Sequence, residues 1–180
     1  MKKRLAFAAL FGALACAAIG VAASSAPTRG ATPAFAEAKW PFLMDQWGLG
    51  RAFHCGPEDC GSDVDVYLRA KIGFCNCTTG VSDDDELERV GDVELIGEDY
   101  RPNAPGHPIA VAWMKGRSRP YDVAGRAAGS TLALAFNDHC DVIVATAVVP
   151  RGQAAHVEPA VLAFLNSDAV VRWVKEQLGL

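Results

Sequence analysis

Five cysteines downstream of an apolar N-terminal stretch carry the strongest chemical signal in this 180-residue chain: Cys55, Cys60, Cys75, Cys77 and Cys140. In an oxidising compartment thiols pair, so two disulfides and one free thiol form the expected set. Cys55 and Cys60 lie in His54-Cys55-Gly56-Pro57-Glu58-Asp59-Cys60-Gly61, a loop by its Gly, Pro and acidic content. Cys75 and Cys77 form a C-x-C step at the end of a strand-like run. An extended backbone there places their Cα atoms near the ~6.8 Å limit for a disulfide, so partners elsewhere are easier. The expectation is that Cys55, Cys60, Cys75 and Cys77 carry the bridges, either as two cross-links between loop and strand end or as one link within the loop and one elsewhere. Cys140 is then the free thiol, buried as a small hydrophobe.

The same four thiolates, with His54 adjacent, are soft ligands that suit copper(I) or zinc, although C-x4-C and C-x-C depart from the C-x2-C knuckles of structural zinc sites. A redox-active dithiol is the third reading; no C-x-x-C precedes a helix, the setting that stabilises a thiolate. Asp138-His139-Cys140 is the one compact group that looks catalytic. Neighbours on a strand point to opposite faces, so it is no dyad by itself, and a cross-chain pair such as His107 with Cys140 stays open. His54, His107, His139 and His156 read as surface or turn residues. Ser82-Asp83-Asp84-Asp85-Glu86 lacks the spaced ladder of a calcium loop, and its Ser82…Asp85 spacing reads as the cap of a helix over 83–90. Walker, G-x-G-x-x-G and H-E-x-x-H patterns are missing, so no residue is assigned a catalytic role and the reading leans away from an enzyme.

Elements that would hold these residues follow from periodicity. Val64, Val66, Leu68, Ala70, Ile72 and Phe74 alternate with Asp65, Tyr67, Arg69, Lys71 and Gly73, which is a strand with one buried face running to Cys77. Residues 37–53, with Trp40, Phe42, Leu43, Met44, Trp47, Leu49 and Phe53, form an apolar arm that covers the core or, if exposed, binds a partner. Short strands are expected at Val93–Ile96 and Ile109–Trp113, with Lys115-Gly116-Arg117-Ser118-Arg119-Pro120 turning away and Tyr121–Val123 returning. Thr131–Phe136 and His139–Val149 read as a hairpin turning at Asn137-Asp138, with Phe136 facing His139 and both strands inside the sheet. Glu158-Pro159 starts one helix, and Ser167-Asp168 caps a second whose Val170, Val171, Val174 and Leu178 make an apolar stripe. The fold class is therefore α+β: an antiparallel or mixed sheet of four to five strands packed against two C-terminal helices, with a disulfide-pinned N-terminal loop.

The N-terminus reads as an export leader. Lys2, Lys3 and Arg4 precede an apolar run from Leu5 to Ala23, and Ala34-Phe35-Ala36 offers small residues for a signal peptidase. Residues 1–36 are expected to be removed, leaving one domain over 37–180; cleavage near Ala22 or Ala23, an uncleaved anchor, and a lipoprotein at Cys16 are the variants. Membrane contact is expected only through an uncleaved leader. With a net charge of -4 and Arg117, Arg119 and Arg126 scattered among Gly, Ser and Pro, nucleic acid is excluded as a partner. The functional expectation is an exported, periplasmic or secreted, disulfide-stabilised accessory or binding protein without catalytic activity, acting on an unknown protein or small molecule without a cofactor; the alternative is a periplasmic copper or zinc protein.

Overall fold

In the computed structural model, residues 34–124 and 129–180 are described. The leader from Lys2 to Ala23, Cys16 and Arg126 lie outside the described residues.

One antiparallel sheet organises the domain. Its strands are β1 (Ala36–Ala38), β2 (Arg51–Cys55), β3 (Val64–Lys71), β4 (Tyr100–Pro102), β5 (His107–Val111), β6 (Met114–Val123), β7 (Gly129–Asp138) and β8 (Asp141–Val149). They are arranged β1-β2-β3-β8-β7-β6-β4, with β5 beside β4 on the same edge of β6. The sheet thus has eight strands, a correction to the four or five expected. β1 and β4 are too short to show an alternating pattern, and β6 runs straight through the segment read as a turn. Its inward positions Met114, Gly116, Ser118 and Pro120 are buried, while Lys115, Arg117, Arg119 and Tyr121 face the other side. Period two is present there, hidden because Gly, Ser and Pro are not apolar signals. Pro120 accepts from Asn103 N–H at 3.0 Å through its carbonyl, so its missing N–H points into the gap between β5 and β4, where no ladder bond is lost.

Both sheet faces are covered. Val64, Val66, Leu68, Leu132, Leu134, Phe136, Ile143 and Ala145 pack against Val157, Val161, Leu165, Val170 and Val174 of the two C-terminal helices, α3 (Ala154–Leu165) and α4 (Asp168–Leu178). Ser167 caps α4, accepting from Val170 N–H. α3 begins at Ala154 rather than at Glu158-Pro159: the Pro150-Arg151-Gly152 turn starts it, and Pro159 lies inside it. On the opposite face Ala133, Ala135, Val142, Val144 and Tyr121 meet Leu87 and Val90 of α2 (Asp84–Val90) and Val93 of a 3-10 turn at Val93–Leu95, the segment expected as a strand. Asp83, not Ser82, caps α2, accepting from Glu86 N–H. β3 therefore has two buried faces, and Arg69 and Lys71 are inside. The arm divides its residues: Trp40 and Phe42 pack on Tyr67 and Trp47 on Phe74, while Leu43, Met44 and Leu49 are exposed.

Among the described residues no helix is long and apolar enough to cross a membrane. Among the described residues two disulfides are present, Cys55–Cys60 and Cys77–Cys140, a bond type that belongs to an oxidising compartment.

Candidate functional site

Three turns meet at one end of the sheet. The β7–β8 turn is His139-Cys140, two residues later than Asn137-Asp138, with Asp138 opposite Asp141 and Phe136 opposite Ile143. The shift is even, so every side chain keeps its expected face. Its cause is local. Asn137 is spent on holding a neighbouring loop, its Oδ1 accepting from Val81 N–H at 3.0 Å and its Nδ2 donating to the His139 carbonyl at 3.0 Å. His139 takes φ 52°, a left-handed conformation that His tolerates better than most residues. The second turn, Ala112-Trp113 between β5 and β6, is held by Ala112 N–H donating to Asn166 Oδ1 at 2.8 Å, and Lys175 of α4 sits 5.5 Å over the Trp113 ring. The third is the 76–80 loop, closed by Thr78 and Thr79 N–H donating to Asn76 Oδ1.

Between them lies an open cavity of about 290 Å³ lined by Cys77, Thr78, Thr79, Gly80, Trp113, Lys115, Asn137 and His139. It combines an aromatic face, a cation, amide and hydroxyl groups and one sulfur of a disulfide. Its lining is mostly polar, with the Trp113 ring as the one large apolar wall, so it suits a polar small molecule or peptide side chain that can stack on the ring.

Cysteine placement differs from the sequence expectation in one respect that matters here. Cys140 is not the free thiol: it is bonded to Cys77, and Cys75 is unpaired. β3 ends at Lys71 and the chain turns at Ile72-Gly73, so the parity of an extended strand no longer governs Cys75 and Cys77. Cys75 turns inward, its N–H donating to the Cys140 carbonyl at 3.0 Å and its Sγ–H to the His139 carbonyl at 3.2 Å. Burial, with Glu86 and Asp141 adding negative charge, pushes its thiol pKa upward, so it stays protonated at neutral pH. Cys77, in contrast, is exposed.

Cys55 and Cys60 bridge each other within their loop, across the single helical turn α1 (Pro57–Cys60). Both are buried. Cys55 stands opposite Val64 at the start of β3, while Cys75 and Cys77 follow its end, a separation of about 23 Å at ~3.3 Å per residue. The four-sulfur copper or zinc set is therefore not brought together. His54 lies with Cys55, but its ring nitrogens face carboxylates, Nδ1 3.0 Å from Asp65 and Nε2 3.4 Å from Asp63. Among the described residues no group of three or more His, Cys, Asp and Glu side chains is placed to hold a metal ion. His107 Nε2 is 3.0 Å from Glu158, not on Cys140. Asp84, from the acidic run, accepts from Arg117 and from Gly106 N–H, so that carboxylate is committed to packing α2 on β6.

The groove itself was missed by sequence reasoning, because Trp113, Lys115 and Asn137 come from segments read separately. The available signal was the pairing of Cys140 with a second cysteine near a turn. Fold and site together define an α+β domain with an antiparallel sheet, covered on both faces and carrying a solvent-facing disulfide at one rim. Comparison with protein-family models, curated proteins and solved structures finds no match.

Proposed function

We propose that this chain is exported to the periplasm or secreted and acts there as a disulfide-stabilised binding protein whose ligand surface is the groove between Trp113, Lys115, Asn137 and His139. The observation that carries the reading is the pair of bridges, one at each end of β3, in a chain that opens with a basic, apolar leader. Full-length protein expressed with its leader in a bacterial host is expected in the envelope fraction about four mass units lighter than its reduced form, two hydrogens per bridge, with one thiol that alkylates only after unfolding. Five reactive thiols in the native protein would remove the proposal.

Leader removal upstream of Phe35 fits this reading better than cleavage after Ala36. Phe35 stacks on Phe164 at 4.3 Å, and Ala36 pairs with His54 in β1–β2, so a cut at Ala36 discards core contacts. The mature N-terminus is expected between residues 23 and 34 by intact mass; a start at Glu37 would contradict it. For the groove, a photo-reactive amino acid at position 113 is expected to give an adduct of defined mass in envelope preparations, and the same group at Glu176 none. Equal labelling from both positions would detach the function from this surface.

A further inference from the structure

The two disulfides differ in what can reach them. Cys55 and Cys60 are 1% and 6% exposed, beneath their own helical turn, whereas Cys77 is open to solvent at the rim of the groove. Thiol–disulfide exchange needs an in-line approach of a thiolate to one sulfur and a place for the negative charge that leaves on the other. The groove leaves Cys77 open to an approaching thiolate and carries a cation and an imidazole, Lys115 and His139, on the same lining; the carboxylates near the turn already have partners, Asp138 in His139 Nδ1 at 2.8 Å and Asp141 in Gly73 N–H at 2.7 Å.

We propose that Cys77–Cys140 is a thiol–disulfide exchange site that accepts a thiol of a small molecule or peptide at the Cys77 sulfur, with Cys140 as the leaving thiolate. The incoming thiolate forms an S–S bond to Cys77 as the Cys77–Cys140 bond breaks, and the released Cys140 thiolate takes a proton from His139 or water. A second thiolate then attacks the substrate sulfur of the mixed disulfide and frees Cys77. Two substrate thiols are thereby oxidised to one disulfide while Cys77 and Cys140 are reduced to thiols, so electrons and protons balance without another reactant. Cys75 stands behind the bond, its S–H held by the His139 carbonyl and turned into the core, and takes no part. This activity goes beyond ligand binding and needs only the native bridge.

The test uses the exported, oxidised full chain with reduced glutathione or a cysteine-containing peptide, quenched at intervals and mapped by alkylation and mass. Cys77–Cys140 is expected to open about tenfold or more faster than Cys55–Cys60, with the adduct on Cys77. Lys115→Gln and His139→Gln are each expected to slow opening about threefold or more, and Cys75→Ser to leave it unchanged. Faster reaction with glutathione assigns the substrate to small thiols, and faster reaction with the peptide assigns it to protein thiols. Equal opening of both bridges, opening only in denaturant, or an adduct on Cys140 or Cys75 would overturn the proposal. A chain exported without bridges would defeat both readings, whereas a failed photo-crosslink at position 113 beside selective opening of Cys77–Cys140 would defeat the binding groove alone.

Discussion

Arg69 and Lys71 are cations in the interior, and the buried Asp92 is the carboxylate they share. Asp92 Oδ2 accepts from Arg69 Nε at 2.5 Å, and its Oδ1 lies 2.6 Å from Arg69 Nη2 and 2.8 Å from Lys71 Nζ. Asp45 Oδ2 accepts from Arg69 Nη1 at 2.6 Å, and the carbonyls of Val90 and Gly91 accept two more hydrogen bonds from Lys71 Nζ. Because a buried charge stripped of its partner is far costlier than the pair is beneficial, Asp92→Asn is expected to lower unfolding free energy by about 3–5 kcal/mol, read from a denaturant midpoint. Asp84 acts similarly at a partly open position. Burial pushes its pKa upward, but hydrogen bonds from Arg117 and Gly106, together with the charges of Arg119 and Arg117, outweigh this and hold it below 3.8. A carboxyl depressed in the folded state stabilises fully above its unfolded pKa, and the contribution is lost as pH falls through the folded value. The stability gap between wild type and Asp84→Asn is therefore expected to be constant near neutrality and to close below about pH 4. A gap independent of pH would mean that the loss is one of packing.

Among the elements, β6 is the most demanding, because it carries β7 on one edge and both β4 and β5 on the other. Gly116 permits the close approach to β7: a Cβ there would come within 2.0 Å of the Ala135 carbonyl and 2.6 Å of the Phe136 Cα. Backbone cannot yield as a side chain can, so Gly116→Ala is expected to cost more than the ~1–3 kcal/mol of ordinary overpacking, with a lowered thermal midpoint as the readout. Gly152→Ala is a useful comparison, since the space around its Cβ is empty and only its φ of 79° resists the change. β6 also explains which parts of the fold were legible in the sequence. The β3 alternation, the β7–β8 hairpin and the stripe of α4 are written in apolar residues, so their presence and faces could be read directly. The middle of β6 has Gly116, Ser118 and Pro120 on its inward face and Arg117 and Arg119, paired by α2, on the other, so over that stretch neither side carries a hydrophobic signal. The turn at His139-Cys140 was equally hidden, because Asn137 is consumed by a contact with Val81, 56 residues away. The cysteines were recognisable as a group, and a link within the Cys55–Cys60 loop was one of the two expected arrangements; the partner of Cys77 depends on the His139-Cys140 turn and could not be assigned before that turn was placed.

At the scale of the whole domain, the two bridges close loops of very different size, 5 residues for Cys55–Cys60 and 63 for Cys77–Cys140. Restriction of the unfolded chain grows with the logarithm of loop length, which corresponds to about 2 kcal/mol for the short loop and about 4 kcal/mol for the long one. The long loop spans α2, β4, β5, β6 and β7, so its bridge limits the unfolded state across half of the strands of the sheet. The larger stabilisation thus comes from the bridge that includes the exposed Cys77, and the smaller from the one whose two cysteines are buried. A domain built this way is expected to respond to reduction in two steps. Mild reductant should open Cys77–Cys140 alone and lower the unfolding free energy by about 4 kcal/mol without changing far-UV circular dichroism, since the hydrogen-bonded sheet and the short bridge persist. The paired replacement of Cys77 and Cys140 by Ser should reproduce that loss in the absence of reductant, and the paired replacement of Cys55 and Cys60 should cost about half as much. Reversal of this order, with the short-loop variant the less stable of the two, would mean that local packing around Cys55 and Cys60 outweighs chain entropy in fixing the stability of the domain.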